Sequence, residues 1–355
     1  MGLPEINISF QSRAETAVQR SENGIVAVIL EDTTKTDTSY SYAYEADINT
    51  ADWTAGNREY LNLVFRGAPR LVIVERIQSS TGYSDALARL KNKKWNWLTV
   101  PGIATSVGTV KTVAEWITAQ RAAGKTFKAV LACTEAEQNP NDVGIVDFAT
   151  DNVTVGTKTF SAHEYCARIA GTLAGLSMTE SATYHVLPEV ESIDESTTPD
   201  EDIDGGKMIL INDGEKIKIA SGVNSLHILE DGQSEEMKSI KIVEGMDLIR
   251  DDIRDTFEEN YIGINNSYDN KCIFIGAVNE YFDGLVRQGV LYDQYDNLCE
   301  IDIAAQRDYL AQKYSVDDMT DEEIKVAKTG KYIFARADIQ FTEAIENLEF
   351  GIMMS

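Results

Sequence analysis

The sequence predicts an α/β protein: a helix-covered, mostly parallel sheet, then a smaller α+β domain, with strand-like arms at both ends of the chain. Three observations support this. From Gly24 to about residue 190, short apolar runs alternate with helical patterns, which is typical of a parallel sheet with helices on both faces. An acidic, turn-rich stretch at 191–207 interrupts that pattern. Apolar residues alternate at both ends, as they do in strands with one buried face.

The region 24–190 is predicted to contain the sheet. Four short runs rich in Val, Ile and aromatic residues are typical of buried strands; they are GIVAVIL (24–30), PRLVIVERI (69–77), WNWLTVPG (95–102) and FKAVLAC (127–133). Helical patterns lie between them, in GNREYLNLVFRG, SDALARLKNKK and TVKTVAEWITAQRAAG. A further helix begins at Ser161, because Ser161 and Glu164 form a capping box. The segment YSYAYE (40–45) is compatible with a surface contact or with a simple strand.

The smaller domain is predicted over 208–342, after the acidic linker at 191–207. It opens with a hairpin, because Asp213-Gly214 separates two strand-like runs and suits a tight turn. A long amphipathic helix follows, with apolar residues at helical spacing; they are Ile242, Met246, Ile249, Ile253, Phe257 and Tyr261. We expect another helix in KCIFIGAVNEYFDGLVRQGV and a strand in YDNLCEIDI. A last helix, at 320–330, starts at the capping box of Thr320 and Glu323 and stops at Gly330.

Both ends of the chain are predicted to be strand-like arms. The apolar stripes of these arms are Ile6, Ile8 and Phe10 in the N-terminal arm (1–23), and Leu348, Phe350 and Ile352 in the C-terminal arm (343–355). A third stripe, expected in the subunit's own sheet, consists of Ile333, Ala335, Ala337, Ile339 and Phe341. An isolated strand with one apolar face is a template for pairing with another chain. The alternative is that the two termini pair with each other within one subunit.

One such arm gains little free energy when it binds by itself. About 5 backbone hydrogen bonds at about 1 kcal/mol each, with three apolar side chains at about 1.5 to 3 kcal/mol each, oppose an ordering cost of about 1 to 2 kcal/mol per residue. Many exchanges between rigid neighbours bind strongly, because each raises the effective concentration for the next. The arms therefore favour a polymer over a dimer.

Composition and motifs exclude several classes of function. The 355 residues include 58 acidic and 32 basic ones, and the formal net charge of −26 argues against nucleic-acid binding. No apolar run approaches the ~20 residues of a membrane span, and the start MGLPEINISF lacks the features of a signal peptide. We therefore predict a cytoplasmic product that does not bind membranes.

No catalytic residue, cofactor or metal is predicted. AAGKT at 122–126 ends like a phosphate-binding loop, but it follows a helix and precedes a strand, the reverse of the required order. We interpret Gly124 as a helix stop. DEDIDG at 200–205 lacks the acidic twelfth residue of a calcium loop, where Ile211 stands, so it is a solvated linker or a weak cation binder. The three histidines and four cysteines form no metal-binding pattern, and there is no GxSxG motif.

The two ends of the chain resemble those of contractile tail sheath proteins of bacteriophages and of R-type phage-tail-like bacteriocins, especially the short sheaths of Gram-positive hosts. The resemblance lies in GLPEINISFQSRAETAVQRSENGIVAVILEDT near the start and YIFARADIQFTEAIENLEFGI near the end, and it covers the whole chain in order. It implies a subtilisin-like fold for the α/β domain, without protease activity.

The resemblance also implies a structural role. Sheath subunits stack as hexameric rings around an inner tail tube, join through arms that add strands to a small sheet, and contract to drive the tube through a bacterial envelope. The expected partners are other copies of the chain, the tube protein, and baseplate and tail terminator proteins. Assembly is expected in the bacterial cytoplasm, before release in a virion or phage-tail-like particle. Lys325, Lys328 and Lys331 would contact the tube, although a solvated helix face is an alternative.

Two other classes of protein stay open at this point. An α/β enzyme or small-molecule-binding protein would place polar residues at the carboxyl ends of its strands. The sequence has Arg76, Pro101-Gly102 and Thr134-Glu135 at those places, which is not a catalytic set. The other class is a non-contractile structural polymer, such as a tube or capsid protein.

Overall fold

The computed structural model describes residues 11–102, 107–133, 140–346 and 348–353. These residues divide into two compact units. The sheet unit comprises the described parts of 19–244 and 344–355, and the helix unit comprises those of 1–18 and 245–343. Within the described ranges, no helix has the length and apolar character needed to cross a membrane.

The sheet unit is built on one large sheet. Its strands and those of its two hairpins are β1 (Ile25–Glu31), β2 (Ser39–Tyr42), β3 (Leu71–Ile77), β4 (Trp97–Thr99), β5 (Lys128–Leu131), β6 (Ile145–Phe148), β7 (Val153–Val155), β8 (Lys158–Phe160), β9 (Lys207–Met208), β10 (Leu210–Asn212) and β11 (Ile217–Ile219). Seven of them form the order β2-β3-β1-β4-β5-β6-β9. All pairs are parallel except β2 with β3, so the prediction of a mostly parallel sheet is confirmed.

Helices cover both faces of this sheet. The helices that precede β9 in the chain are α1 (Ala17–Ser21), α2 (Ala55–Phe65), α3 (Tyr83–Leu90), α4 (Val107–Ala122), α5 (Ala162–Gly175) and α6 (Pro199–Asp204). Of these, α2 and α5 pack on one face of the sheet, and α3 and α4 pack on the other. Alternate residues of β1 point to opposite faces: Val26, Val28 and Leu30 pack with α2 and α5, whereas the residues between them pack with α3 and α4. A Cβ atom at Gly171 would lie 2.1 Å from the Val64 carbonyl oxygen, so this glycine permits the close approach of α2 and α5.

Several local predictions in this unit are confirmed. Ser161 and Glu164 form the capping box of α5. Gly124 follows α4 with a φ of 93°, as expected of a helix stop. The segment YSYAYE contributes β2, and β10 and β11 form the expected antiparallel hairpin. The loop of this hairpin has four residues, because Asn212 pairs with Ile217. The predicted tight turn of two residues was wrong in this respect.

The division between the units differs from the predicted linker at 191–207. That segment contains α6 and ends at β9, which pairs in parallel with β6. The hairpin of β10 and β11 then packs into the core of the same unit, where Leu210, Ile217 and Ile219 are buried. Because these residues complete the sheet and its core, the unit continues to Glu244. We therefore move the boundary from 191–207 to 244–245.

The helix unit carries a small sheet. Its elements are the part of α7 (Ile240–Asn260) from Gly245 onwards, α8 (Tyr268–Arg287), β12 (Leu298–Ile301), α9 (Ile303–Ala311), α10 (Asp321–Val326) and β13 (Ala335–Asp338). Both long helices and the strand in YDNLCEIDI lie where the sequence predicts them. Aromatic rings join α7 to α8, with the Phe257 and Phe274 centroids 5.5 Å apart. Among the residues that the structure describes, the small sheet consists of β12 and β13 in antiparallel register.

Candidate assembly site

The small sheet lies where the third apolar stripe of the sequence was expected. β13 covers the middle of that stripe, and all four of its residues are exposed. Ile333 and Ile339, on either side, are partly buried. Phe341 forms an isolated bridge with Leu291. Ala335 pairs with Ile301. The structure thus places these residues in or beside one two-stranded sheet.

One face of the small sheet is an open groove of about 520 Å³. Two hydrogen-bonded pairs line it. The Arg336 Nε donates to Glu300 Oε1 at 2.8 Å across the two strands, and the hydroxyl of Tyr295, which precedes β12, donates to Asp338 at 2.7 Å. Leu298 also lines the groove and is 42% exposed. A sheet of two strands is marginal in water by itself. This two-stranded sheet is therefore accessible to solvent along the groove.

The C-terminal arm exposes its apolar stripe. Leu348, Phe350 and Ile352 are 83%, 76% and 76% exposed, and residues 348–353 form neither helix nor strand. Burying such side chains contributes about 1.5 to 3 kcal/mol each. An arm that stays exposed lacks this favourable free energy. The stripe predicted from the sequence is therefore available to a partner.

A polar contact holds the base of this arm. Glu346 Oε1 accepts hydrogen bonds from the hydroxyls of Ser181 at 2.7 Å and Thr183 at 2.8 Å. The receiving turn is fixed, because the Gly222 N–H donates to Thr183 Oγ1 at 2.9 Å and the Tyr184 N–H donates to the Ile219 carbonyl at 2.8 Å. The base of the arm is thus held at a defined point of the sheet unit.

The N-terminal stripe, Ile6, Ile8 and Phe10, lies outside the described residues. The predicted arm at 1–23 is nevertheless shortened, because residues 11–15 and 17–21 are helical. Ala14 is buried and faces Gly284, where an added Cβ would lie 2.5 Å from the Ala14 Cβ. These contacts make residues after 10 part of the folded chain, so any free arm is confined to 1–10.

Arg13 fixes this N-terminal base to α7. Its guanidinium lies 3.3 Å from Asp252 and 3.4 Å from Glu259. Asp252 is 1% exposed and also accepts a hydrogen bond from the Tyr281 hydroxyl at 2.8 Å. A buried carboxylate with two such partners is costly to leave unpaired. The N-terminal base is therefore held more firmly than the C-terminal one.

The predicted tube-facing helix is shorter than expected. Its capping box at Thr320 and Glu323 is confirmed, but α10 ends at Val326 and not at Gly330. Ala327 is extended, with ψ at 151°, and its carbonyl accepts a hydrogen bond from the buried Lys271 ammonium at 3.4 Å. Side chains that satisfy the last carbonyls of a helix can replace further helical turns.

The three candidate lysines therefore do not share one helix. Lys325 lies on α10 and pairs with Glu322 at 3.0 Å; the hydrogen bond that its ammonium donates to that carboxylate raises the Lys325 pKa. Lys328 and Lys331 follow the helix and are exposed. Because both lie beyond α10, the three lysines do not form one face of a helix.

The carboxyl edge of the large sheet does not form a catalytic arrangement among the described residues. Arg76 is 1% exposed, and its guanidinium carbon lies 4.1 Å from the ring centroid of Trp53 and 4.8 Å from that of Tyr40. It also donates to the Asp37 carbonyl at 3.1 Å. These contacts hold the loops after β1 and β2, so Arg76 is structural. Pro101 is buried, and Thr134-Glu135 lies outside the described residues.

Comparisons with known proteins agree on one family. The family models described as phage tail sheath protein central domain and phage tail sheath C-terminal domain match residues 78–225 and 232–354. The chain is 34% identical over 366 aligned residues to the tail sheath protein of Clostridium phage phiCD119, with 99% of each chain covered.

Two solved structures show the same fold. The crystal structure of the sheath tail protein Lin1278 from Listeria innocua is 14% identical, with a TM-score of 0.71, and the match covers 84% of this chain and 93% of that chain. The helical sheath of the anti-feeding prophage in its contracted state is 11% identical, with a TM-score of 0.70 and 94% of each chain covered.

Proposed function

Because this chain belongs to the phage tail sheath protein family, we propose that it polymerises as stacked hexameric rings around an inner tail tube and contracts to drive the tube through a bacterial envelope. One observation carries the proposal: a C-terminal arm with an exposed apolar stripe occurs in the same chain as an exposed, two-stranded sheet. The arm has apolar side chains that are not buried in its own subunit, and the sheet has an exposed strand that can pair with another strand.

The arms are the joints of the proposed polymer. The apolar stripe of one subunit adds as a strand to the small sheet of another, so that backbone groups pair and apolar side chains are buried. The N-terminal arm, with Ile6, Ile8 and Phe10, takes the same role towards a different neighbour. Because both arms leave from anchored bases, rings can rotate and compact while the strands stay paired.

Contraction is proposed to draw on energy stored in subunit contacts. A ring assembled in a metastable arrangement moves to a better-packed one once the baseplate releases it. No nucleotide, cofactor or metal takes part in this mechanism, and we propose that the subunit is not an enzyme. The subtilisin-like arrangement expected of the α/β domain serves as a rigid body in this scheme.

The remaining partners are proposals from the family. Lys325, Lys328 and Lys331 contact an acidic inner tube. Baseplate and tail terminator proteins bind the two ends of the polymer. Nucleic acid and membrane are not partners of the sheath itself, in line with the net charge of −26. Subunits assemble in the bacterial cytoplasm and leave in a virion or phage-tail-like particle.

Deletion of each arm tests this proposal. Purified wild-type protein should form hollow, striated cylinders in negative-stain electron microscopy. Variants that lack residues 1–10 or 345–355 should remain folded, since neither deletion removes a helix or strand of the described fold, and should form no cylinders. Normal cylinders from both deletion variants would contradict the proposal. Cylinders or filaments that never show a second, shorter and wider form would favour a non-contractile polymer.

A further inference from the structure

We infer that the two edges of the small sheet are unequal, and that the C-terminal stripe of a second copy adds at the β13 edge while the β12 edge is closed to strands. This inference rests on the proposed function, because it names the surface at which other copies bind. Its evidence is the hydrogen-bonding pattern of the sheet and the burial of each edge.

The ladder fixes which backbone groups point outwards. The Asp302 N–H donates to the Phe334 carbonyl at 3.0 Å, in the register that continues the β12–β13 pairing. In an antiparallel ladder, successive residues alternate between bonding the partner strand and pointing away from it. The residues whose N–H and C=O groups point away are Cys299 and Ile301 on β12, and Ala335 and Ala337 on β13.

The outward edge of β12 is already occupied. The Cys299 N–H donates to Asn279 Oδ1 at 2.7 Å, and Asn279 Nδ2 donates to the Cys299 carbonyl at 3.1 Å. The amide of this α8 residue thus binds both outward backbone groups of Cys299. Cys299 and Ile301 are 5% and 8% exposed. A strand could add here only by displacing Asn279 and uncovering buried residues, which leaves polar groups unpaired.

The outward edge of β13 is open by contrast. Ala335 and Ala337 are exposed along with the rest of the strand. Their methyl groups leave room for the large side chains of an added strand. The exposed stripe of Leu348, Phe350 and Ile352 supplies alternating apolar residues of the kind that complete such an edge. The acceptor and the strand are therefore complementary, and they occur once each in every copy.

Two consequences follow from the inequality. Any second arm must add outside the first one, so the strand order in the assembly starts β12, β13, arm. The closed β12 edge also prevents two free subunits from growing a sheet in both directions, which limits premature aggregation. Asn279 thus has a positioning role in assembly, although it contacts no neighbour.

Hydrogen exchange in free subunits and in cylinders tests the inference. Peptides covering 333–341 should gain protection on assembly, whereas peptides covering 297–303 should be protected already in the free subunit and change little. A gain in protection at 297–303 without a gain at 333–341 would overturn the inference. In the free Asn279→Ala subunit, protection at 297–303 should fall several-fold. Unchanged protection there would show that Asn279 does not close the edge.

Substitutions on β13 give a second test. Ala337→Pro removes an outward N–H, and proline is tolerated on an edge strand when its nitrogen faces solvent. Cylinder yield should fall at least about tenfold, while the matched Ala337→Ser subunit, which keeps the N–H, should assemble normally. Normal assembly of Ala337→Pro would exclude the β13 edge as acceptor. If wild-type protein forms no cylinders, the proposed function fails, and exchange in free Asn279→Ala still decides whether the β12 edge is closed.

Discussion

The two sheets of this chain differ in how their edges end. The large sheet buries β1 between two neighbours, with six of its seven residues buried, and it finishes on a polar β2 (SYSY) and on a β9 of two residues. Such short or polar edges resist strand addition. In the small sheet, β13 leaves all four residues exposed. The large sheet is thus complete within one subunit, whereas the small sheet keeps an exposed strand that, in our proposal, another copy completes.

The largest effect is expected from polar residues in the arm. The double substitution Leu348→Asp and Phe350→Asp should abolish cylinders, because each buried aspartate would lack a partner in the acceptor sheet. Thermal unfolding of the free subunit should not change, since both side chains are exposed. Met353→Asp is the matched control: Met353 is 100% exposed but lies off the alternating stripe, so cylinders should form. If both variants formed cylinders equally well, the apolar stripe of the arm would not be needed for assembly.

A substitution in the large sheet should act on stability alone. Ile29 is fully buried, and Ile29→Ala should lower the free energy of unfolding by about 2 to 5 kcal/mol through lost contacts and a cavity. The matched change in the small sheet, Leu298→Ala at a residue that is 42% exposed, should cost less than about 1 kcal/mol. Urea unfolding followed by circular dichroism measures both. A larger cost for Leu298→Ala would show that the small sheet is also a stabilising core.

The large sheet also predicts a dependence on pH. Asp147 on β6 is 1% exposed and accepts the Cys133 N–H at 2.8 Å; burial raises its pKa to about 6, although the hydrogen bonds from Cys133 and the charge of Lys207 oppose this rise. The folded state therefore holds a proton that the unfolded state releases near pH 4. Protonated Asp147 therefore stabilises the folded state fully below about pH 4. As the pH rises to about 6, this stabilisation of about 2 to 3 kcal/mol is lost.

The variant Asp147→Asn tests that dependence. Its free energy of unfolding should lack this fall between pH 4 and 6, so the difference between variant and wild type should grow in favour of the variant as the pH rises. Urea denaturation at several pH values measures it. Parallel curves for the two proteins would mean that Asp147 does not hold a proton in the folded state.

The smallest effect is expected at the base of the C-terminal arm. Glu346→Gln weakens the contact with Ser181 and Thr183, which as exposed hydrogen bonds are worth about 0.5 to 1.5 kcal/mol. Amide exchange in 344–353 should quicken by a few-fold, without a change in thermal unfolding. Glu349→Gln, at a nearby exposed residue, is the control and should leave exchange unchanged. Equal amide exchange rates in the two variants would contradict the anchoring role of Glu346.

Local sequence patterns predicted much of the fold. The strands β1, β3, β4 and β5, the helices between them and the capping boxes at Ser161 and Thr320 follow from apolar periodicity and capping chemistry. The β6 and β9 strands did not, because β6 is four residues in a turn-rich stretch and β9 is two. The boundary was therefore placed too early, at 191–207.

The contacts that position the candidate site could not be read from the sequence. Asn279 reaches Cys299 across 20 residues, and Glu346 reaches Ser181 across 165. Single polar residues carry no pattern, so only the folded chain shows which backbone group each one meets. The helical base around Arg13 was also missed, since QSRAETAVQRSEN is polar and was included in the predicted N-terminal arm. The stripe at Leu348, Phe350 and Ile352, in contrast, was visible from alternation alone.

The central claim is that the C-terminal arm of one subunit completes the small sheet of another. A cryo-EM reconstruction of assembled cylinders, at a resolution that traces the backbone, tests it most directly. The account predicts that residues 348–352 form a strand on the β13 edge of a different copy, with Asn279 still bound to Cys299. Density that places residues 348–352 against their own chain, paired with its N-terminal segment, would contradict it.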